Sequence, residues 1–249
     1  MGEVIAVVSG KGGTGKTSFT ALVGAALAKM GHRTLCIDCD IGLRNLDLAL
    51  GLSDRALMDF ADVAEGHVSL EQAVVSHPHC TKLYLLTAPV TLAAEQLPSE
   101  KMRTLLDEVR KQFDYCLIDS AAGLGDAFRL ATCGADRAVV VATTDPTSLR
   151  DAQRTVMELR HFPTGKLHLV VNRVRRKLLR ALHSNIDDAI DMAGLPLLGV
   201  IPEDEEIPIA LGRSTLATLF YRSYAEQACR NIARRLTGER VPLMKLPRK

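Results

Sequence analysis

The 249 residues suffice for a sizeable buried core, and with no Pro/Ser-rich linker or break in composition they read as one domain, residues 1–238, followed by a tail, 239–249. Apolar residues make up 47% and tryptophan is absent, so the core must be aliphatic and alanine-rich, and a formal charge of +2 is too balanced to announce a nucleic-acid partner by itself. The six cysteines lack a disulfide-framework spacing, no signal peptide precedes the first apolar run, and no run approaches the roughly 18 to 20 apolar residues that span a bilayer, which together point to a reducing cytosol.

Val4 to Val8 reads as a strand that feeds Gly10-Lys11-Gly12-Gly13-Thr14-Gly15-Lys16-Thr17, a fit to G-x-x-x-x-G-K-[ST] at every position. The glycines let successive N–H groups turn inward without Cβ clashes, so the loop from Gly10 through Gly12, Gly13, Thr14 and Gly15 to Ser18 is expected to cradle nucleotide phosphates. Lys16 should reach the β- and γ-phosphates and Thr17 should offer its hydroxyl to Mg²⁺, with the helix N-terminus adding about half a positive charge. Lys11 is a second lysine in the loop, placed to project toward a second subunit.

Phe19, Leu22, Val23, Ala26 and Leu27 recur at helical spacing until Gly31 ends the helix, and a strand follows from Arg33 to Asp38. Ligands of open parallel sheets sit beyond the strand C-termini, so Asp38 and Asp40 face the crevice of the phosphate loop. Such a pair suits water handling beside a Mg-nucleotide, although an Asp at this boundary can also simply cap the next helix. Cys36 and Cys39, three apart on a strand, point to opposite faces and read as core residues rather than shared ligands.

Short helices are predicted over Ala56–Ala64 and Ser69–Val75, His77 and His79 read as structural, and a strand spans Lys82–Thr87. A helix runs from Ser99, as its N-cap, to about Gln112. The strand Asp114–Asp119 has the Walker B form, which lets Asp119 hold magnesium through water near Thr17. Further strands at Ala138–Thr143, Leu167–Val171 and Leu197–Val200 alternate with a helix over Ser148–His161 and a basic helix start, Arg175 to Arg180, that reads as a solvated face. The last helix, about Arg222 to Leu236, sets Tyr224, Ala228, Cys229, Ile232, Ala233 and Leu236 on one side. In the tail Pro242 and Pro247 leave no room for a stable helix, though apolar residues interleave with Arg240, Lys245, Arg248 and Lys249. This order argues for a doubly wound, mostly parallel α/β sheet flanked by helices.

The Lys-Gly-Gly-x-Gly-Lys-Thr loop, with the stretch from Asp38 to Gly51, resembles the MinD/ParA family of ATPases with a deviant phosphate loop, its MinD branch most closely. By that resemblance Lys11 crosses a nucleotide-sandwich dimer to the partner's nucleotide, Asp40 orients the attacking water and Asp38 belongs to the magnesium shell. The N–H of Gly123 senses the γ-phosphate in a segment where Ala121 stands in place of the family's usual proline. Asn172 contacts the adenine edge, and Pro202, Glu203 and Asp204 pack beside it. Asp151 matches a dimer and partner surface, and a plain first-turn Asp that suits the helix dipole reads equally well.

The resemblance implies an ATP- and Mg²⁺-dependent homodimer whose slow hydrolysis uses Lys11, Lys16 and Asp40, and a cytoplasmic spatial switch in division-site placement that binds a regulatory protein. The four basic tail residues leave peripheral contact with an anionic membrane open. Other readings are a DNA-partitioning ATPase of the ParA type and a flagellar-placement regulator, which typically has an extension before the first strand. A metallocentre-assembly ATPase would need cysteine pairs at a dimer surface.

Overall fold

The computed structural model describes residues 1–41, 43–90, 97–181, 185–219 and 223–247. Gly42, Arg222, Arg248 and Lys249 of the sequence reading lie outside them.

Among the described residues one sheet has the order β3 (Val75–Ser76), β4 (Leu83–Leu86), β2 (Thr34–Cys39), β5 (Tyr115–Ser120), β1 (Glu3–Val8), β6 (Arg137–Ala142), β7 (Leu167–Val174) and β8 (Leu197–Pro202). All neighbours pair in parallel except β3 with β4. β1 lies between strands that continue the chain in opposite directions, which puts the loop after it at a topological switch point. Both faces of the sheet are covered, so its strands are continuous apolar runs. Ile5 and Val7 of β1 face α1 (Lys16–Lys29), α2 (Asn45–Leu50), α10 (Glu206–Gly212) and α11 (Tyr224–Leu236). Val4, Ala6 and Val8 face α3 (Phe60–Ala64), α4 (Leu70–Ala73), α5 (Ser99–Gln112), α6 (Asp126–Thr132), α7 (Pro146–Glu158) and α9 (Ile186–Ala193).

α1 is apolar all round and buried along most of its length. It closes on the sheet at Gly24, where an added Cβ would lie 2.5 Å from Cys36 Sγ. Cys36 thus belongs to the cluster under α1 and Cys39 to the opposite one, as strand alternation predicts.

Capping sets the helix boundaries that differ from the apolar pattern. Asp59 accepts from the N–H groups of Ala61 and Asp62 while its own N–H meets the Asp62 carboxylate, so α3 starts at Phe60 rather than Ala56. Ser99 is not the cap of α5: Lys101 and Met102 donate to the Pro98 carbonyl, which puts Ser99 inside the helix. Asp145 caps α7 by accepting from Thr147 and Ser148, so α7 begins two residues before Ser148, and Asp151 falls beyond its first turn. Tyr224 opens α11 behind the Ser223 cap and is 53% exposed, unlike the rest of its expected apolar face. α8 (Arg176–Ala181) carries the basic face.

The tail is tied down without forming a helix. Arg235 donates to the carbonyls of Val241, Pro242 and Leu198 at 2.9, 2.8 and 3.0 Å. Met244 packs on the cluster under α1 and Leu246 on the opposite face, so the tail passes the β8 edge. No helix among the described residues is long and apolar enough to cross a membrane.

Candidate nucleotide site

The loop between β1 and α1 sits at the C-terminal end of the sheet. Gly15 enters the helix at φ +87, and a Cβ there would fall 2.4 Å from Asn172 Nδ2, so glycine is required twice over. Among the described residues no N–H from Lys11 to Ser18 donates to another group of the chain. These donors, the positive end of α1 and the lysines make an anion cradle. Lys16 Nζ lies inside it and donates to Ser9 Oγ at 2.9 Å. Burial lowers its pKa, and the carboxylates of Asp119 and Asp40 oppose that shift. Lys11 turns the other way, donating to Thr147 Oγ1 at 2.9 Å and standing 4.0 Å from Asp145 Oδ1 at the start of α7. α7 itself presses on the loop, since a Cβ at Gly10 would lie 2.6 Å from the Asp151 carbonyl.

Asp38 and Asp119 are neighbours across the β2–β5 pairing, and both are buried. Asp38 accepts from the N–H groups of Asp40 at 2.8 Å and Leu46 at 3.0 Å, which closes the turn that carries Asp40. Burial outweighs those bonds and pushes its pKa up to about 6. Burial, then the Asp38 carboxylate, push Asp119 up to about 7 against the Thr17 hydroxyl and Lys16. Asp40 is half-buried, which raises it, while Lys16 lowers it. The sequence resemblance has the Gly123 N–H free for a γ-phosphate; here it donates to the Ser9 carbonyl at 3.2 Å.

Asp119 Oδ1 is a buried carboxylate oxygen without a hydrogen-bond partner, beside the Thr17 hydroxyl. These are hard oxygen donors. Among the described residues no group of three or more His, Cys, Asp or Glu can hold a metal unaided. A metal here would complete its shell with phosphate oxygens and water, the way magnesium binds nucleotides. Cys36, Cys39, Cys80, Cys116 and Cys229 are buried, so none offers the surface pair that a metallocentre carrier needs.

Beside the loop a cavity of about 240 Å³ is walled by Ser18, Phe19, Leu22, Ile207, Leu211 and Cys229, with Asn172, Pro202, Glu203 and Asp204 at its polar rim. Asn172 donates to the Thr14 carbonyl at 2.8 Å and accepts from the Arg173 N–H at 2.9 Å. Burial pushes Glu203 up, but hydrogen bonds from Arg175 and Arg173 hold its carboxyl below the usual range. The Asp204 carboxylate is committed to helix starts, accepting from Ser223 Oγ and from the N–H groups of Ala225 and Glu206. Pro202 therefore contributes wall, and the two acids shape the rim.

The sequence reading missed Ser9, Thr147 and the contact from Arg173, none of which stands in a short-range motif. The apolar wall did carry a signal, the spacing of Phe19 and Leu22, but it read as core alone.

Residues 5–217 match the profile of the CobQ/CobB/MinD/ParA nucleotide binding domain. The septum site-determining protein MinD of Bacillus subtilis is 38% identical over 249 residues, which span 99% of this chain and 93% of that protein. Among solved structures, the MinC:MinD cell division protein complex of Aquifex aeolicus matches with a TM-score of 0.90 at 36% identity, covering 98% of this chain and 99% of that one. The Pyrococcus horikoshii septum site-determining protein MinD complexed with Mg-ADP matches with a TM-score of 0.82 at 29% identity, covering 95% and 96%.

Proposed function

The chain belongs to the CobQ/CobB/MinD/ParA nucleotide-binding family, and within it we propose a MinD-like ATPase that dimerises around two Mg-ATP molecules, hydrolyses them slowly and serves as a spatial switch in division-site placement. The observation that carries this reading is the divergence of two lysines from one loop. Lys16 is buried on Ser9, whereas the Lys11 side chain is 51% exposed at the molecular surface, where a second subunit can take it up. The solved MinC complex of the Aquifex relative supports a regulatory protein partner for this chain too.

In this proposal residues 1–238 form the ATPase domain. The N–H groups of Gly10 to Ser18 hold the phosphates, and Lys16, with Lys11 from the partner subunit, neutralises charge developing on the transferred phosphoryl group. Asp40 holds the attacking water in line, and Asp38 fixes the turn that presents it. Thr17 and Asp119, with Asp38 in the outer shell, would hold Mg²⁺, which when bound neutralises phosphate charge. Gly123 reports the γ-phosphate after leaving the Ser9 carbonyl. Asn172, Pro202, Glu203 and Asp204 bound the adenine side, and Asp151 lies on the partner-facing surface. We place the protein in the cytoplasm. Lipid contact through the tail requires Met244 and Leu246 to leave the clusters they pack against, so a protein partner comes ahead of a membrane and of DNA.

The test is Lys11→Ala. Phosphate release should fall by about 10³-fold or more, the contribution of a trans-acting cation, while Mg-ADP affinity stays within about threefold. A variant that turns over at the wild-type rate overturns the trans role.

A further inference from the structure

β7 does not run straight. Its pairing with β8 slips between Val171 and Val174, and within the slip Arg173 sits in the left-handed region at φ +56. Such an irregularity re-aims side chains that would otherwise alternate between faces. Both residues of the slip reach the phosphate loop: Asn172 Nδ2 donates to the Thr14 carbonyl at 2.8 Å and Arg173 Nη1 donates to the Gly13 carbonyl at 3.2 Å.

A trans peptide is planar, so its C=O and the next residue's N–H point in opposite directions. Among the described residues there is no cis peptide bond. Holding the Gly13 and Thr14 carbonyls from outside therefore turns the N–H groups of Thr14 and Gly15 to the other side, where neither donates to another group among the described residues. Arg173 is itself held, with Nη2 donating to Glu203 Oε1 at 3.1 Å.

We propose that the β7 slip is a positioning device for a polyphosphate: Asn172 and Arg173 keep the loop in its anion-binding shape, independently of any contact with a base. The inference rests on the nucleotide reading above and deepens it, giving Asn172 a duty toward phosphate as well as toward a purine edge. A preorganised loop spends less of its binding energy on ordering, so the loss of either residue is felt by a ligand that has no base at all.

The experiment is calorimetric titration of inorganic tripolyphosphate with Mg²⁺, and of Mg-ADP, into the wild type, Asn172→Ala and Arg173→Lys, neither of which changes the net charge. Tripolyphosphate affinity should fall about three- to tenfold in each variant, the range of one lost hydrogen bond, and Mg-ADP affinity should fall by the same factor in Arg173→Lys and by more in Asn172→Ala, which also gives up the base edge. Unchanged tripolyphosphate binding alongside weakened Mg-ADP overturns the inference and leaves Asn172 a base reader alone. A wild type that binds Mg-ADP but not tripolyphosphate also overturns it, because the loop is then not preformed. A wild type that binds neither overturns the nucleotide reading, and the inference with it. Should Asn172→Ala fail to fold, Arg173→Lys carries the same comparison.

Discussion

At His77 the ring Nδ1 accepts from the His79 N–H at 3.1 Å. Nδ1 can accept only while unprotonated, so the fold selects the neutral ring. Burial is the largest influence lowering its pKa, joined by His79, Lys29 and Arg55. The unfolded chain takes up a proton near the ordinary pKa of 6.5 and the folded chain only below it. More protons are then bound in the unfolded state, so stability is lost as pH falls through that window and is unaffected above it. Asp38 and Asp119, raised by burial, shift stability the opposite way in the same range, so the loss is read as a difference: urea unfolding between pH 7.5 and 5.5 should show the wild type losing stability relative to His77→Gln as pH falls, and parallel pH profiles for the two proteins would refute the assignment. At this scale a local motif made Lys16, Thr17 and Asp119 legible in the sequence, because their spacing along the chain is the chemistry. Arg173 was not legible as a loop contact, because its reach depends on a register slip between distant strands.

Among the elements, α1 and the parallel strands follow from apolar runs, whereas the ends of α3, α5 and α7 depend on which residue's oxygen accepts first. Ser99 has the chemistry of a cap, but the Pro98 carbonyl had already taken the first helical bond. The approach of α1 to the sheet also escaped the sequence, since a helical glycine reads as a weakness until its neighbour is known. A Cβ at Gly24 would meet Cys36 Sγ at 2.5 Å and the Leu117 and Leu83 methyls at 3.4 and 3.5 Å. Gly24→Val should therefore destabilise the fold by about 1–3 kcal/mol through overpacking, and adding Cys36→Ala should recover part of the loss. Thermal unfolding of the single and double variants measures both, and a Gly24→Val protein as stable as the wild type would contradict this packing.

For the molecule as a whole, the order of strands and helices, starting with a phosphate loop after the first strand, announced a doubly wound, mostly parallel sheet. The antiparallel edge strand β3 and the course of the tail were not legible, because both are set by packing rather than by local pattern. The site occupies the switch point of that sheet, with Lys16 inward, Lys11 outward and Asp40 on its own turn. A monomer so built contains every proposed part except the cation that arrives from outside. The most direct measurement is sedimentation of Asp40→Ala, in which turnover is suppressed, in Mg-ATP and in Mg-ADP. The account predicts a single chain of 27.0 kDa in Mg-ADP and twice that mass in Mg-ATP. A protein that binds Mg-ATP and stays at the mass of one chain would contradict it.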